Sequence, residues 1–516
     1  MSSSTKQAKS WIEECKQLHK HCSEPAIPLL PTRVLDVSKQ AIRLHIPNGE
    51  RCHYCALSYC WGGPQPVRTL AENIESHRVG IQVSALPRTI QDAVSYTRKL
   101  GVKYLWIDSL CIVQDSEDDK RQEIARMASI YQNAFVTIAA TNASRCIDGF
   151  LSERRRPSYE TFIGDLPWSC LDGKLGKVSL HRQFSGKPRE EPLEGRAWAL
   201  QEFLLSPRVL SFSSQQLVWE CQTVRYTDGG NPESQGVFEM GKIRTEPSML
   251  SPLTAAMVSK SPHSISAHEV WGDVVKDFTR REMTEEGDKL LAISGIAQQL
   301  HLMTGDEYLA GLWKASLMSE LMWSHDLMFE VAKGPQPARR PKTYRAPSWS
   351  WASVDGAIKF SGSPNYPEPV AQVIQCEVTL ANSSKPFGAV IDGRLVIRGP
   401  LRSLEIDKVL QYFDLGPTGF KGTRKPRIIL DGNEVLPVSS AVSLSDSISG
   451  DAQVDQRIWL LEMARYHAYP CGFVLRQASQ ENHRSFRRIG WFDTRSPWFD
   501  ATWWARDTSI ETITIV

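Results

Sequence analysis

Two hydrophobic periodicities alternate over the first part of the chain. Short apolar runs predict buried strands at Cys55–Cys60, Val102–Asp108 and Phe135–Ala140. The two stretches between these runs carry apolar residues at helical spacing, which indicates helices with one buried face. Strands that alternate with helices in this way predict a short parallel sheet, flanked by helices and joined by right-handed crossovers.

Boundary residues mark both of these helices. Pro87 suits the first turn of the first helix, and Gly101 is well placed as its C-cap. Ser116 opens a segment that resembles a capping box, and the helix that follows extends to about Tyr131. These signals indicate where each crossover helix begins and ends.

The pattern over the whole chain divides it into five regions. They are a lead-in at residues 1–50, an α/β domain at 51–225, a linker or loop at 226–268, a helical region at 269–344 and a β-rich domain at 345–516. Further helices are predicted at residues 10–22, 196–203, 269–282, 287–301 and 306–323. Further strands are predicted at residues 41–46, 208–212, 216–221, 348–354, 370–379, 394–399, 459–464 and 472–475. The expected fold class is therefore α/β, followed by a helical segment and a β-rich, partly open C-terminal domain.

Composition narrows the class of protein. The 516 residues carry a formal net charge of +2, so no overall field favours nucleic acid as a partner. No uninterrupted apolar run approaches the roughly 20 residues that span a bilayer. The N-terminus is polar and lacks the apolar stretch of a secretory signal. These features predict a cytoplasmic protein, with a nuclear location as the alternative.

Cysteine usage leaves a metal site open. The chain has 11 cysteines, and an odd count without a secretory signal favours reduced thiols. Cys15, His19 and Cys22 share one helical face, and Cys52 and Cys55 add two thiols with a two-residue gap. This set is compatible with zinc, but packed free thiols are the default interpretation and no metal is assigned.

Five motifs stand in order between residues 54 and 212. They are Tyr54–Gly62 (YCALSYCWG), Leu86–Ala93 (LPRTIQDA), Tyr104–Asp115 (YLWIDSLCIVQD), Met127–Ala134 (MASIYQNA) and Arg196–Glu202 (RAWALQE), with Arg208–Leu210 behind the last. Together they resemble the motifs of fungal heterokaryon-incompatibility (HET) domains, in the order of that family. The lead-in from Trp11 to Cys22 and the segment Pro347–Ser353 are similar to other parts of such proteins.

The resemblance implies a fungal signalling protein of the incompatibility or innate-immunity type. Such a protein would promote programmed cell death in self/non-self recognition, through self-association or through cleavage of NAD. HET domains have been proposed as distant relatives of TIR domains, some of which hydrolyse NAD, so a TIR/flavodoxin-like fold is also implied. We expect protein partners or self-association, a nucleotide-type small molecule with NAD as a substrate, and no bound cofactor. Whether the domain is an enzyme, an NAD glycohydrolase-like hydrolase, stays open.

Ligands of an open parallel sheet bind beyond the carboxyl ends of its strands. The catalytic candidates are Asp108, at the end of the second strand, and Glu123, in the second turn of the next helix. Glu123 falls about 90° from the centre of the apolar stripe of that helix, at the rim of its buried face. The expected ligand-binding residues are Ser58, Trp61, Gly62, Ser109, Gln114 and Arg196. We expect Ser58, Asp108 and Glu123 to surround a common hollow.

Each candidate also has a structural interpretation. These are a strand-end cap for Asp108, an exposed acid near a helix N-terminus for Glu123, packing for Trp61 and Trp106, a buried thiol for Cys111, and an ion pair or cap for Arg196 and Glu202. At the level of function, two further classes stay open. These classes are a non-catalytic protein-interaction module and an accessory enzyme of fungal secondary metabolism.

Overall fold

A computed structural model describes most of the chain in two compact units. The described residues are 3–19, 22, 27–152, 161–169, 173, 175–182, 191–228, 267–326, 329, 339–360, 368–415, 425–431, 457–478, 484–496 and 499–516. Those up to residue 228 belong to the first unit and those from residue 267 onward to the second. Nearly all of the predicted linker lies outside the described residues. The domain boundaries assigned from the sequence stay predictions.

The first unit combines helices with a sheet. The helices described in it are α1 (Ser3–Leu18), α2 (Ile74–Val79), α3 (Arg88–Leu100), α4 (Asp108–Cys111), α5 (Glu117–Gln132) and α6 (Ala197–Leu205). The strands are β1 (Val34–Asp36), β2 (Arg43–His45), β3 (Tyr54–Ser58), β4 (Tyr104–Trp106), β5 (Val136–Ala139), β6 (Thr161–Ser169), β7 (Leu175–Arg182), β8 (Arg208–Phe212), β9 (Leu217–Cys221) and β10 (Arg225–Thr227). Strands β6 and β7 pair only with each other within the described residues, and the sequence analysis missed both.

The remaining strands of the first unit form one mixed sheet of eight strands. Their order is β10-β9-β8-β5-β3-β4-β1-β2. The four central strands are parallel, whereas the pairs at both edges are antiparallel. The predicted short parallel sheet is therefore only the centre of a wider mixed sheet. The prediction missed the edges because their strands come from the lead-in (β1 and β2) and from the segment after α6 (β9 and β10). Periodicity alone does not show which strands such segments pair with.

The connection between the parallel strands creates a switch in strand order. Numbered among themselves along the chain, they lie in the order 2-1-3-4 across the sheet. The chain leaves β3 through α3 to reach β4 on one side, and it returns through α5 to reach β5 on the other. In open α/β sheets, ligands bind at such a switch point, beyond the carboxyl ends of the strands.

Local sequence explains the elements around this switch point. Every residue of β3 is buried, as expected for a central parallel strand covered on both faces. Gly101 ends α3 at a φ of 84°, and the Ser116 hydroxyl accepts the amide of Asp119 at 3.2 Å to cap α5. The predicted C-cap of α3 at Gly101 and the predicted N-cap of α5 at Ser116 are confirmed. Pro87 precedes the first turn of α3 and does not lie within it.

The second unit is rich in strands. The helices described in it are α7 (Ala267–Phe278), α8 (Ser294–Thr304), α9 (Leu317–Glu320), α10 (Ile406–Tyr412) and α11 (Ala501–Arg506). The strands are β11 (Tyr308–Leu309), β12 (Leu312–Trp313), β13 (Trp323–His325), β14 (Ile358–Phe360), β15 (Glu368–Pro369), β16 (Gln372–Leu380), β17 (Val390–Glu405), β18 (Asp414–Leu415), β19 (Arg427–Leu430), β20 (Arg457–Tyr466), β21 (Tyr469–Gln477), β22 (Ser485–Asp493) and β23 (Ser509–Ile515). Across the described part of the chain, no helix combines the length and apolar character that crossing a bilayer requires.

Five long strands of the second unit close into a ring. Strand β17 pairs with β20, β20 with β21, β21 with β22, β22 with β23, and β23 again with β17. The predicted β-rich C-terminal region is confirmed. The expectation that it is partly open is wrong for these five strands, because β23, which the sequence analysis missed, completes the ring.

Two predicted elements of the second unit need correction: the strand at 348–354 is wrong, and of the helix at 306–323 only Leu317–Glu320 is helical. Residues 306–323 were expected to be helical, but Ala310 and Gly311 adopt positive φ and turn β11 into β12. A Cβ on Gly311 would lie 2.8 Å from Trp351 Nε1, so only glycine fits at this position, and the positive φ of both residues is incompatible with a right-handed helix. Residues 348–354 were expected to form a strand. They form a buried turn and a short 3₁₀ helix, because the indole of Trp351 binds the Gly311 carbonyl at 2.8 Å.

Candidate functional site

A buried carboxyl group lies beside the carboxyl end of β3. Glu202 occupies α6, a helix whose side chains are otherwise almost all apolar. The Ser58 hydroxyl, on the last residue of β3, donates a hydrogen bond to Glu202 Oε2. Burial raises the pKa of Glu202 to about 7, although the charge of Arg196 and the hydrogen bond from Ser58 both act in the opposite direction. A carboxyl with this pKa exchanges its proton near neutrality, as general acids and bases do.

Asp108 lies at the end of the neighbouring strand and contributes a second carboxyl. Trp61 Nε1 donates to its Oδ2 at 2.8 Å, and the Ser109 amide donates to its Oδ1 at 2.6 Å. Burial raises the pKa of Asp108, and the charge of Arg196 partly offsets that shift. The negative charge of Asp108 in turn helps to raise the pKa of Glu202, so the two carboxyls influence each other.

Arg196 supplies the positive charge at this edge of the sheet. Its guanidinium donates to the backbone carbonyl of Tyr59, directly after β3. The expected structural role was an ion pair or a cap: within the described residues Arg196 forms no ion pair with Glu202, but it occupies the N-cap position of α6. Its charge acts on both Glu202 and Asp108. The side chains of Arg196, Asp108 and Trp61 are partly exposed, whereas Ser58 is buried. We call Ser58, Trp61, Asp108, Arg196 and Glu202 the Glu202 cluster.

An inner layer of hydrogen bonds holds this cluster. The Tyr59 hydroxyl donates to Ser109 Oγ at 2.9 Å, which ties the loop after β3 to α4. The side-chain amide of Gln114 donates hydrogen bonds to the backbone carbonyls of Asp108 and Ile112, both at 3.1 Å. Ser109 and Gln114 therefore orient the loops here, and their predicted ligand contacts stay predictions.

Gly62 is required by close packing. It adopts a φ of 66°, and a Cβ at this position would lie 2.6 Å from Arg145 Cα. Only glycine combines this left-handed conformation with such a close approach of backbone. The structure thus explains the residue without a ligand.

Glu123 lies in a different environment. It is buried in α5, where the Arg126 guanidinium donates to its Oε1 at 3.1 Å, and its Oε2 has no hydrogen-bond partner. Among the described residues, no hydrogen bond or ion pair joins it to the Glu202 cluster. The alternative of an exposed acid is wrong, since only 1% of Glu123 is exposed. The structure thus groups Ser58 and Asp108 around Glu202 and Arg196, and the catalytic role of Glu123 stays a prediction.

The predicted zinc ligands are only partly brought together. Cys15, His19 and Cys22 meet Cys221, and their four ligand atoms lie within 4.8 Å of one another. Cys55 is instead fully buried in β3, where burial raises the pKa of its thiol to about 12. Cys52 does not belong to the group either, so the short spacing between Cys52 and Cys55 pointed to the wrong pair of thiols.

Several structural interpretations are confirmed. Trp106 is fully buried and packs edge-on against Tyr131, with ring centroids 5.7 Å apart. Cys111 is also fully buried, and burial raises the pKa of its thiol to about 12. Both residues therefore belong to the core of the first unit, as their structural interpretations expect.

Sequence reasoning did not select Glu202, Tyr59 or Tyr131 as site residues. The Tyr131 hydroxyl donates to the Leu57 carbonyl at 3.1 Å and also influences the pKa of Glu202. One signal was present in the sequence, because α6 reads AWALQEFLL and an acid in such an apolar helix must be buried or paired. Tyr59 and Tyr131 carried no comparable signal, since tyrosine is common in cores.

One known protein family matches the region of the chain that contains this cluster. Residues 54–202 match the family model described as Heterokaryon incompatibility protein (HET). The match begins at the first residue of β3 and ends at Glu202, so it contains every member of the Glu202 cluster. No curated protein and no solved structure matches the chain.

Proposed function

Starting from the HET domain that this chain carries at residues 54–202, we propose that the protein is an incompatibility-type signalling protein whose Glu202 cluster cleaves NAD. The observation that carries the proposal is the buried Glu202 carboxyl, with a pKa of about 7, at the switch point of the sheet. Parallel strands in the order 2-1-3-4 also occur in flavodoxin-like folds, which supports the implied TIR/flavodoxin-like relation. Programmed cell death would follow from loss of NAD.

The members of the cluster match the parts of a dinucleotide. Arg196 is partly exposed and offers a guanidinium for a pyrophosphate, and Trp61 offers an indole face for a base. Ionised Glu202 would accept a ribose hydroxyl and stabilise the positive charge that develops on the sugar, as carboxylates do in glycoside hydrolysis. Water adds to the ribose carbon, nicotinamide leaves with the electrons of the broken C–N bond, and one proton is released. Asp108 would hold the ring of Trp61 in place.

The test is incubation of the purified chain with NAD. We expect equal amounts of nicotinamide and ADP-ribose, and a loss of about a hundredfold or more in rate for Glu202→Gln. Glu320→Gln is the matched control, because Glu320 is also buried, accepts the Ser316 hydroxyl at 2.6 Å and has a pKa raised to about 8, but lies in the second unit. Glu123→Gln is measured in parallel. If the wild type releases no nicotinamide, the enzymatic proposal is wrong; if Glu123→Gln alone loses activity, the assignment to Glu202 is wrong.

An exposed hairpin favours self-association as a second candidate function. Leu166 and Trp168 lie two positions apart on one face of β6, and 52% and 60% of their surfaces are exposed. A two-stranded sheet is marginally stable alone, and neighbouring exposed apolar side chains are typical of contact surfaces. We expect light scattering to show assemblies larger than the monomer, which the double variant Leu166→Ser/Trp168→Ser abolishes. A monomeric wild type at the same concentrations would contradict this candidate.

The cellular part of the proposal is tested separately. We expect expression of the full chain in a fungal host to arrest growth, and expression without residues 1–225 to be harmless. The Glu202→Gln and Leu166→Ser/Trp168→Ser variants then show whether NAD cleavage or self-association is responsible. Growth arrest by the truncated chain would contradict a role for the HET domain.

A further inference from the structure

Four metal-binding side chains meet at one edge of the first unit. Cys15 lies in α1, His19 directly follows that helix, and Cys22 lies one turn later, where its amide donates to the His19 carbonyl at 3.0 Å. Cys221 arrives from the end of β9, far along the chain. The three sulfur atoms and one imidazole nitrogen lie within 4.8 Å of one another.

Both the donor set and its spacing fit tetrahedral zinc. Three thiolates and one imidazole make a Cys₃His set, which is a recurrent structural zinc site. Bond lengths of about 2.3 Å to sulfur and 2.0 Å to nitrogen place tetrahedral ligand atoms roughly 3.5–3.8 Å apart. His19 Nδ1 lies 3.4 Å from Cys221 Sγ, close to that spacing. All four cysteine and histidine side chains are therefore within small movements of one ion, and the three cysteines are free thiols in the structure.

The surroundings of the four ligands suit a negatively charged metal centre. Zn²⁺ with three thiolates carries a net charge of −1. Arg208, which is buried with 1% exposure, donates through Nε to Cys15 Sγ at 3.4 Å and through Nη2 to the Cys22 carbonyl at 2.9 Å. Its Nη1 is buried without a partner, and among the described residues no carboxylate pairs with this guanidinium. A buried cation without an anion is unfavourable, whereas zinc-bound thiolates beside it would supply the missing charge.

The second nitrogen of His19 faces a carboxylate, at a distance that a small movement would convert into a hydrogen bond. Its Nε2 lies 3.9 Å from Glu14 Oε1, which the Tyr226 hydroxyl also contacts at 2.6 Å. A carboxylate on the far side of a ligating imidazole fixes its tautomer and orientation. Thr223 adds a hydroxyl 3.2 Å from Cys22 Sγ, where it can donate to a thiolate.

We propose that Cys15, His19, Cys22 and Cys221 bind one zinc ion that fastens α1 to β9 at the edge of the first unit's sheet. All four ligands lie outside residues 54–202, so the ion joins the two segments that flank the HET domain. Elsewhere α1 is held by packing, such as Trp11 against Tyr226 with ring centroids 6.2 Å apart, and by single hydrogen bonds such as that from the Tyr226 hydroxyl to Glu14. The proposal is independent of NAD cleavage.

The experiment measures zinc in the full chain, purified under reducing conditions without an affinity tag that binds metal. We expect about one zinc per chain by elemental mass spectrometry, and a loss to background in His19→Ala and Cys221→Ser. Cys52→Ser is the matched control and keeps its zinc, because Cys52 lies outside the group. If Cys221→Ser does not fold, cobalt(II) added to metal-free wild type decides the point, because tetrahedral thiolate ligation gives intense charge-transfer absorption.

Three results would overturn the proposal. They are a wild type that holds neither zinc nor cobalt, equal zinc in wild type and His19→Ala, and a disulfide between any two of the three cysteines in protein isolated with its thiols blocked. The second result would identify an adventitious surface ion. None of them bears on nicotinamide release, so this proposal and the proposed function fail separately.

Discussion

Single ionisable residues in the first unit are held at a cost in stability. Glu202 is 8% exposed and has few polar contacts beyond Ser58 and Tyr131. Its ordinary pKa of 4.5 rises to about 7 in the folded chain, so ionisation disfavours the native state. Functional sites commonly keep such groups, because a carboxyl that titrates near neutrality is useful in chemistry.

Replacing Glu202 with Gln should change how stability depends on pH. The unfolded chain releases this proton near pH 4.5 and the folded chain near 7, so the wild type loses stability as pH rises between these values. The loss amounts to roughly 3 kcal/mol at pH 8, and Glu202→Gln avoids it. Urea unfolding at pH 5 and pH 8 measures the difference. If the free energies of unfolding of variant and wild type differ by the same amount at pH 5 and at pH 8, the raised pKa of Glu202 is contradicted.

Gly62 allows a prediction with a matched control. Gly62→Ala combines a left-handed conformation with a clash against Arg145, whereas Gly49→Ala has a similar φ of 73° and open space around the added Cβ. We expect Gly49→Ala to cost about 1–2 kcal/mol from conformation alone and Gly62→Ala to cost clearly more. Thermal unfolding of both variants checks this. Equal costs would mean that the approach of Arg145 does not constrain the loop.

Helices that carry a capping residue were predictable from the sequence, whereas short elements without such residues were not. The ends of α3 and α5 follow from Gly101 and Ser116, whose conformations and hydrogen bonds are local. Residues 306–323 have helical spacing, but the Ala310–Gly311 turn follows from contact with Trp351, which is distant in sequence. Local periodicity carries no information about such a contact.

The cap of α5 gives a test at the scale of one element. Ser116→Ala removes the acceptor for the Asp119 amide and should destabilise the chain by about 1 kcal/mol. Ser129→Ala in the same helix is the control. Ser129 is exposed and its hydroxyl bonds back to the Arg126 carbonyl, so its loss should cost close to nothing. Denaturant unfolding distinguishes the two, and equal effects would show that Ser116 does not act as a cap.

At the scale of the whole molecule, distant segments complete each unit. In the first unit the lead-in supplies β1 and β2 to the sheet, and α6 brings Glu202 back to the end of β3. In the second unit β23, at the C-terminal end of the sequence, joins β17 to β22. Closure of a ring of strands removes free edges, which stabilises the pairing of all its members.

The closing strand can be tested with two isoleucines. Ile513 in β23 is buried with 3% exposure, whereas Ile510 in the same strand is 66% exposed. Ile513→Ala should destabilise the chain by about 2–5 kcal/mol, because it leaves a cavity in the core. Ile510→Ala changes the same residue type without a cavity and should cost little. Similar unfolding midpoints for the two variants would show that β23 does not contribute to the core.

The sequence by itself determined the HET motifs, the α/β class of the first unit, the β-rich C-terminal region and the capped ends of α3 and α5. These features depend on spacing and on local residue chemistry, which are read directly from the chain. It also placed Ser58 and Asp108 in one neighbourhood, since the carboxyl ends of parallel strands share one edge of a sheet. Arg196 was expected there only through the family motif that contains it.

Only the tertiary structure decided which carboxyl joins that neighbourhood and which thiol completes the Cys₃His group. Glu202 and Cys221 come from segments far along the chain from Ser58 and Cys15, and their positions depend on strand pairing across the sheet. Glu123 is nearer in sequence, yet its side chain is held by Arg126. Proximity in space is fixed by packing, and the free energy of packing is spread over many residues that no single motif contains.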